Sequence, residues 1–556
     1  MFAEPLRQKT KRGRVAQAVT IPAPTKGWYV GTALANAPAG TAYILENFFP
    51  GADFVRLRGG SRQFASNMDG TIETLMVYKS GSTERMFAAN ANNIWDVTAG
   101  GIITAPAVAG LTNGQWQWVN FTGGGGTYLV AVNGADARRL YDGSSWVTSP
   151  SITGVSSANL INVWVYKGRQ YFIQKNSMSA WYLGADAIGG SATELPLGAE
   201  FPSGGYLVAG ASWAVATNGG LQDVCVFVSS EGEVAAYTGS SPDDADTWSR
   251  VGLYKVGKPI GYKCLFKAGG DVAVLCEDGI IPLSKAVNYD KAALIDTAIT
   301  RPIAPEWQRT TSLYKGLAGW NMTAWPARQW FVVNVPQIRT QYVSNIVTGA
   351  WCRFTGWRAA CFAEFQNRLF FGTEIGTVHE ADVGAADVGT TGEVVTTDGA
   401  RWGRARWGRA KWGNPSGTSG TLATSNAPYT GTMFWSFTDL KAPAVMKLMG
   451  MGRVNVQSNL ELQGTSLAVR KDYDFTVPEA PGTSKPVLSG ARWGVAKWGR
   501  DKWPTRTSFA SSRWRGLTGY GTMVAPVYQV TVGTVENVEV KVTSIDMTYE
   551  SGEAFG

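Results

Sequence analysis

Gln341-Tyr-Val-Ser-Asn-Ile-Val-Thr-Gly-Ala-Trp351, followed by Cys361-Phe-Ala-Glu-Phe-Gln-Asn-Arg-Leu-Phe-Phe-Gly372 and Thr377-Val-His-Glu-Ala-Asp382, consists of short apolar runs broken by turn residues. The alternation from Tyr342 onward, the Thr348-Gly349 pair and Asn367-Arg368 ahead of Leu369-Phe-Phe read as strand, turn, strand, turn, strand. Trp351 is expected to pack between such units rather than to serve as a ligand platform.

The same texture extends from Trp28 to about Asp382. Several of its segments end alike: Asn93-Ile-Trp-Asp96, Arg139-Leu-Tyr-Asp142, Ser179-Ala-Trp-Tyr182, Val234-Ala-Ala-Tyr237, Asp278-Gly-Ile-Ile281 and Thr377-Val-His-Glu380. Their equivalent positions lie 46, 40, 56, 44 and 98 residues apart, and the last gap is long enough for two units. A loose period of this length fits a four-stranded blade better than a solenoid coil. Radial repetition of blades also protects strand edges without a closed barrel. The expected fold is therefore all-β: a β-propeller of about six to eight blades over residues 61–395, plus a β-sandwich-like platform. The totals agree with this reading. With 556 residues, 67 Gly, 23 Trp and 17% charged residues, the chain is too long for one core and rich in tight turns.

Chemical signatures are sparse. The five cysteines form no Cys-x-x-Cys pair, and Cys225 and Cys276 sit in apolar strand contexts that suit buried thiols. With His379 as the only histidine and no Gly-x-Ser-x-Gly, the usual nucleophilic machinery is not visible, and the expectation is a protein that is not an enzyme and needs no cofactor or metal. Residues 123–126 are four glycines without the Gly-Lys-Ser/Thr of a phosphate-binding loop. Asp243, Asp244 and Asp246 lack the Gly and terminal Glu of a calcium loop. Asp142-Gly-Ser-Ser-Trp146 approaches an Asp-box, which is a structural turn and not a catalytic group. No run of about 18 apolar residues and no signal-peptide core occurs, so synthesis in a cytoplasm is expected.

Charge is segregated. Residues 7–14 hold five basic side chains, residues 401–413 another five, and residues 492–515 seven against Asp501. Removing this +16 from the net +8 leaves the rest of the chain at −8, a mildly acidic body with three basic patches. The second and third patches carry a repeat. Arg401, Trp402, Arg404, Arg406, Trp407, Arg409, Lys411 and Trp412 form the first copy. Arg492, Trp493, Lys497, Trp498, Arg500, Lys502 and Trp503 form the second, each Trp lying 91 residues after its counterpart. Spacing by five puts successive tryptophans about 180° apart on a strand and about 140° apart on a helix, so they do not share one face. Subunit contact and nucleic-acid contact both remain open for these residues. The expected organisation is a flexible basic arm at 1–26, strands at 27–60 that could join the platform, the propeller, the first repeat at 396–413, and the platform at 414–556 with the second repeat inside it.

A resemblance is carried by three regions. The first is Glu231-Gly-Glu-Val-Ala-Ala-Tyr237 through Trp248, continuing over Val251–Gly261 and Ala268–Ser284. The second is Asn36-Ala-Pro-Ala-Gly-Thr-Ala-Tyr-Ile-Leu-Glu-Asn-Phe-Phe-Pro50 with Val55-Arg-Leu-Arg-Gly-Gly60, and the third is Val538-Glu-Val-Lys-Val-Thr-Ser-Ile-Asp-Met-Thr-Tyr-Glu550. Together they resemble the tail nozzle proteins (tail tubular protein B-like) of short-tailed bacteriophages; the Trp-Gly repeats are not part of that pattern. The resemblance implies a virion tail protein, assembled in the host cytoplasm as a homo-oligomeric ring, a hexamer. Such a ring connects portal and adaptor to distal tail parts and passes DNA without sequence specificity. The alternatives are a carbohydrate-binding or depolymerising propeller, and a nucleic-acid-binding protein acting through the repeats, where base stacking is worth about 1–3 kcal/mol per base. Replacing Trp402, Trp407 and Trp412 together by Ala separates the two roles of the repeat. Weakened folding or ring assembly in sedimentation is the expected result, whereas normal assembly with altered salt-dependent DNA binding assigns the repeat to nucleic acid.

Overall fold

The computed structural model describes residues 16–31, 37–123, 125–217, 220–244, 246–287, 291–388, 426–459, 462, 464–482, 509–511, 513–533 and 538–554. Both Trp-Gly copies lie outside these residues, as do the basic residues 7–14.

Among the described residues, seven antiparallel sheets form the blades of a propeller. Blades one to four each have four strands and run in chain order over residues 74–109, 117–147, 160–196 and 207–255. Blade five has three strands, Leu265–Ala268, Asp271–Cys276 and Gly279–Pro282, and then leaves the sheet for three short helices ending with Ala304–Tyr314. Trp307 anchors that last helix: it is fully buried and donates its indole N–H to Cys276 O at 3.2 Å. Blade six comprises Asn321–Trp325, Trp330–Val335, Thr340–Asn345 and Trp351–Thr355. Apolar clusters between neighbouring sheets build the core, with Trp116, Phe87 and Tyr141 between blades one and two, for example.

Blade seven closes the ring with a strand from the other end of the sequence. Ala359–Phe365, Arg368–Thr373 and Val378–Ala381 are its first three strands, and Ser61–Ser66, which precedes blade one, is the fourth. The sequence unit of residues 341–382 therefore straddles two blades: its first strands finish blade six and the rest open blade seven. A hairpin within a blade and a connection between blades look alike as text, because both are strand, turn, strand; only the pairing separates them. The six similar segment endings all fall on third strands, and the long gap before His379 holds the third strand of blade six, Thr340–Asn345.

The remaining strands form two sheets packed face to face. One is a continuation of blade six: Trp351–Thr355 pairs in parallel with Ala42–Glu46, which leads on to Tyr429–Trp435, Val524–Val532 and Thr465–Lys471 in an eight-stranded sheet. The other contains Phe48–Pro50, Val55–Leu57, Val540–Ala554 and Val445–Ser458. Phe48, Leu57, Met433, Tyr528, Val542 and Ile545 are buried between the two. Residues 16–22, expected within a flexible arm, instead form the strand Ala16–Pro22, paired with Val540–Ala554 from Ala16↔Glu550 to Pro22↔Ser544. The apolar alternation of Val19 and Ile21, both packed on the core, outweighs the Pro/Thr content that suggested an arm.

Arg58 sits where ring and platform meet. Its side chain is fully buried. Nη1 and Nη2 donate to the two carboxylate oxygens of Asp387 at 3.0 and 2.7 Å, Nε donates to Asn47 Oδ1 at 2.8 Å, and Nη2 reaches Thr355 O at 2.6 Å. The guanidinium lies 4.1 Å from the Tyr429 ring centre and 4.8 Å from that of Trp357. Burial opposes its charge, but Asp387 outweighs burial and its pKa is raised. The next two residues, Gly59 and Gly60, pass directly against residues 382–386; a Cβ at Gly60 would collide with the Ala386 carbonyl. Arg58→Met leaves the Asp387 carboxylate without its cation, and the expected loss is about 3–5 kcal/mol of stability, read as a lowered unfolding midpoint in urea. Arg58→Met/Asp387→Leu should recover part of it, because the uncompensated charge and not the missing bond dominates the cost.

Candidate functional site

The inner strands of the seven blades surround a central channel of about 660 Å³, to which every blade contributes: Val77, Trp118, Val163, Gly210, Phe266, Met322 and Phe362 are among its walls. Polar groups are interspersed, including Asn162, Ser212, Thr323, Lys267 and Glu364. Lys267 Nζ donates to Ser212 Oγ at 3.3 Å, and burial raises the Glu364 pKa.

The end of the channel at which the inner strands begin is a separate hollow of about 240 Å³. Residues one to four positions ahead of inner strands line it: Glu73 before Thr74–Ser80, Gln115 before Gln117–Gly123, Gly261, Tyr262 and Lys263 before Leu265–Ala268, and Trp320 before Asn321–Trp325. Lys175 and Lys315 complete the rim. Lys263 crosses the mouth, since it extends from blade five and donates from Nζ to Thr74 Oγ1 of blade one at 2.9 Å. Removal from water lowers its pKa, against the opposing influence of Cys361 and Glu73. Burial raises the Glu73 pKa, with Lys263 and a hydrogen bond from Gln115 acting the other way. Lys315 is paired with Glu277 at 3.1 Å.

Sequence reading did not single out these residues. The signal was present in the repeat itself: once third strands are aligned by their shared endings, the residue preceding each inner strand falls on one face of the propeller. Of the residues that the sequence did single out, the Trp-Gly positions lie outside the described residues. Asp142 is a turn former: its Oδ1 accepts from the backbone N–H groups of Ser144 and Ser145 at 2.8 and 2.7 Å, which with the Ser144 hydroxyl holds its pKa at about 2. Asp243 accepts from the Tyr182 hydroxyl and Asp244 from the Thr247 hydroxyl, so both are engaged within their own turn and a neighbouring strand. Among the described residues, no group of three or more His, Cys, Asp or Glu side chains could hold a metal ion. All five cysteines are free and buried. No helix among the described residues is long and apolar enough to cross a membrane.

No protein-family model matches the chain, and no curated protein is significantly similar to it. Solved structures that align with it include the β-propeller domain of Cps50 (Swd1) from Myceliophteria thermophila, at 14% identity over 58% of this chain and 99% of that one with a TM-score of 0.36. YCF48 from Cyanidioschyzon merolae aligns at 11% identity over 58% of this chain and 98% of its own, with a TM-score of 0.33. BBS1N, crystallised in complex with ARL6DN, aligns at 11% identity over 61% and 97%, with a TM-score of 0.36. The propeller assignment rests on the seven sheets themselves.

His379 lies on the third strand of blade seven, opposite Gln63 of the closing strand. It is buried, stacks on Phe371 and hydrogen-bonds Thr377 Oγ1 at 2.8 Å, and burial pushes its pKa from 6.5 to about 4. Between these values the unfolded chain binds a proton that the folded protein refuses, so this contribution is fully present above pH 6.5 and falls as pH drops toward 4. The cost at pH 5 is about 2 kcal/mol. Unfolding midpoints measured at pH 7.5 and pH 5 should therefore differ less in His379→Gln than in the unaltered protein.

Proposed function

We propose that this protein is a structural component of a phage tail, a nozzle subunit that assembles with copies of itself into a ring and connects the portal and adaptor to distal tail parts. The observation that carries this reading is the outer face of the platform. Leu448, Met451 and Tyr520 are 44, 45 and 60% exposed on adjoining strands, with Trp514 beside them under the Arg453 guanidinium. Large apolar side chains grouped on one sheet face mark protein contact surfaces. The edge strand Ala16–Pro22, on the same sheet, carries no charged residue, although charge is a common guard of exposed edges.

The channel dimensions bear on where DNA would pass. A space of about 660 Å³, crossed at its mouth by Lys263, has no room for a duplex. On this reading the DNA path lies between copies, around the axis of the ring, and the propeller is a wall element. The resemblance of residues 36–60, 231–284 and 538–550 to tail nozzle proteins supplies the hexameric order and the tail location. Sedimentation velocity and electron microscopy of the full chain are expected to show a closed ring. Leu448→Asp with Met451→Asp should shift it toward monomer while the unfolding midpoint is retained. A strictly monomeric protein at micromolar concentration, alone and with its adaptor, overturns the reading.

A further inference from the structure

We infer that the hollow at the mouth of the propeller channel is a binding site for an acidic sugar, a site that depends on the propeller alone and not on ring assembly. The space of about 240 Å³ far exceeds the ~10–15 Å³ that one water requires and suits a single sugar ring. Among the described residues, two of its three lysines lack a carboxylate in ion-pair contact, while Lys315 is held by Glu277. Lys263 has one hydrogen-bond acceptor, Thr74 Oγ1, and Lys175 has only Gly134 O at 3.5 Å; among the described residues neither has a carboxylate within ion-pair distance. Each ammonium carries three N–H donors, so donors remain for a ligand anion. A carboxylate held by either ammonium would make charge-assisted hydrogen bonds in a partly desolvated site.

The rest of the lining suits hydroxyl groups and a ring face. Gln115 and Gln117 bring side-chain amides, which both donate and accept. Tyr262, 37% exposed at the rim, offers an aromatic face with a polar tip. Glu73, which directly precedes the Thr74 that takes the Lys263 ammonium, disfavours a ligand carrying a second anionic group and can accept from a sugar hydroxyl. A carboxylate on a polyhydroxylated ring offers a partner to each of these kinds of group, whereas inorganic phosphate leaves the amides and the tyrosine unused.

The test is calorimetric titration of the full chain with galacturonate, galactose, inorganic phosphate and a glutamate-rich peptide. Saturable galacturonate binding is expected, with galactose weaker by about tenfold or more, the worth of charged hydrogen bonds. Lys263→Met and Lys175→Met should each reduce galacturonate affinity by a similar factor. Lys175 is exposed, so its replacement spares the fold, and Lys263→Arg should restore part of what Lys263→Met loses. Absence of galacturonate binding, equal binding of galactose, affinity unchanged in both Met variants, or a preference for phosphate or the peptide would each overturn the assignment.

Discussion

The buried ion pair of Arg58 and Asp387 joins the two operations on which this fold depends, closing the ring and attaching the platform. Arg58 precedes the strand that completes blade seven, and Asp387 follows the strand with which it pairs. Bringing together residues more than 300 positions apart costs on the order of 5 kcal/mol in chain entropy. Burying two charges adds several kcal/mol for each. The pair persists because all five N–H donors of the guanidinium have an acceptor and because Trp357 also donates to Asp387, at 3.1 Å. Asp382, a turn earlier, repeats the arrangement at smaller scale: it takes Arg56 at 3.2 Å, Arg328 at 3.1 Å and the Gly59 N–H at 2.6 Å. The seam is thus held by directional contacts, and directional contacts specify one register where apolar packing alone would tolerate several.

The same residues tie the propeller to the sandwich. Asn47 and Tyr429, which complete the surroundings of Arg58, belong to the platform, while Thr355 ends the outer strand of blade six. Because that strand continues into the platform sheet, and Arg353 bridges the shared edge to Glu46 at 2.9 Å, no flexible linker separates the two parts there. Platform strands come from residues 16–57 and from residues 429–554, so both ends of the described chain return to one body. Rotation of the platform against the ring would have to break backbone ladder bonds, which makes the pair behave as one unit under load.

The blade architecture was legible because its marks are local: turn residues, alternation and third-strand endings recur within each unit. What could not be read was everything set by distant pairing. The run Val55-Arg-Leu-Arg-Gly-Gly60 stood out as text, but its meaning depends on Asp382 and Asp387, and the glycines matter only because residues 382–386 pass over them. Ala16–Pro22 was masked by its Thr and Pro content, since a strand held by one neighbour needs little apolar surface of its own. Lys263 and Tyr262 were hidden differently: Gly261-Tyr-Lys-Cys264 is unremarkable in sequence and gains its role only from the convergence of several blades at one mouth.

Charge distribution gives the tail reading its mechanical sense. In the described body arginines pair with single carboxylates, as Arg85 does with Asp96, Arg250 with Glu200 and Arg453 with Asp546. Such pairs neutralise one another locally and leave little field at a distance, while the three basic segments hold +16 of the formal charge in 45 of the 556 residues. Each phosphate neutralised by an unpaired Lys or Arg adds salt-sensitive affinity for DNA. A lumen built from the chain outside these segments, with its net −8, would therefore let DNA slide, and the basic segments would act as a brake wherever they reached it. Passage and retention of DNA would then be set by different parts of one chain, and ionic strength would act mainly on the second.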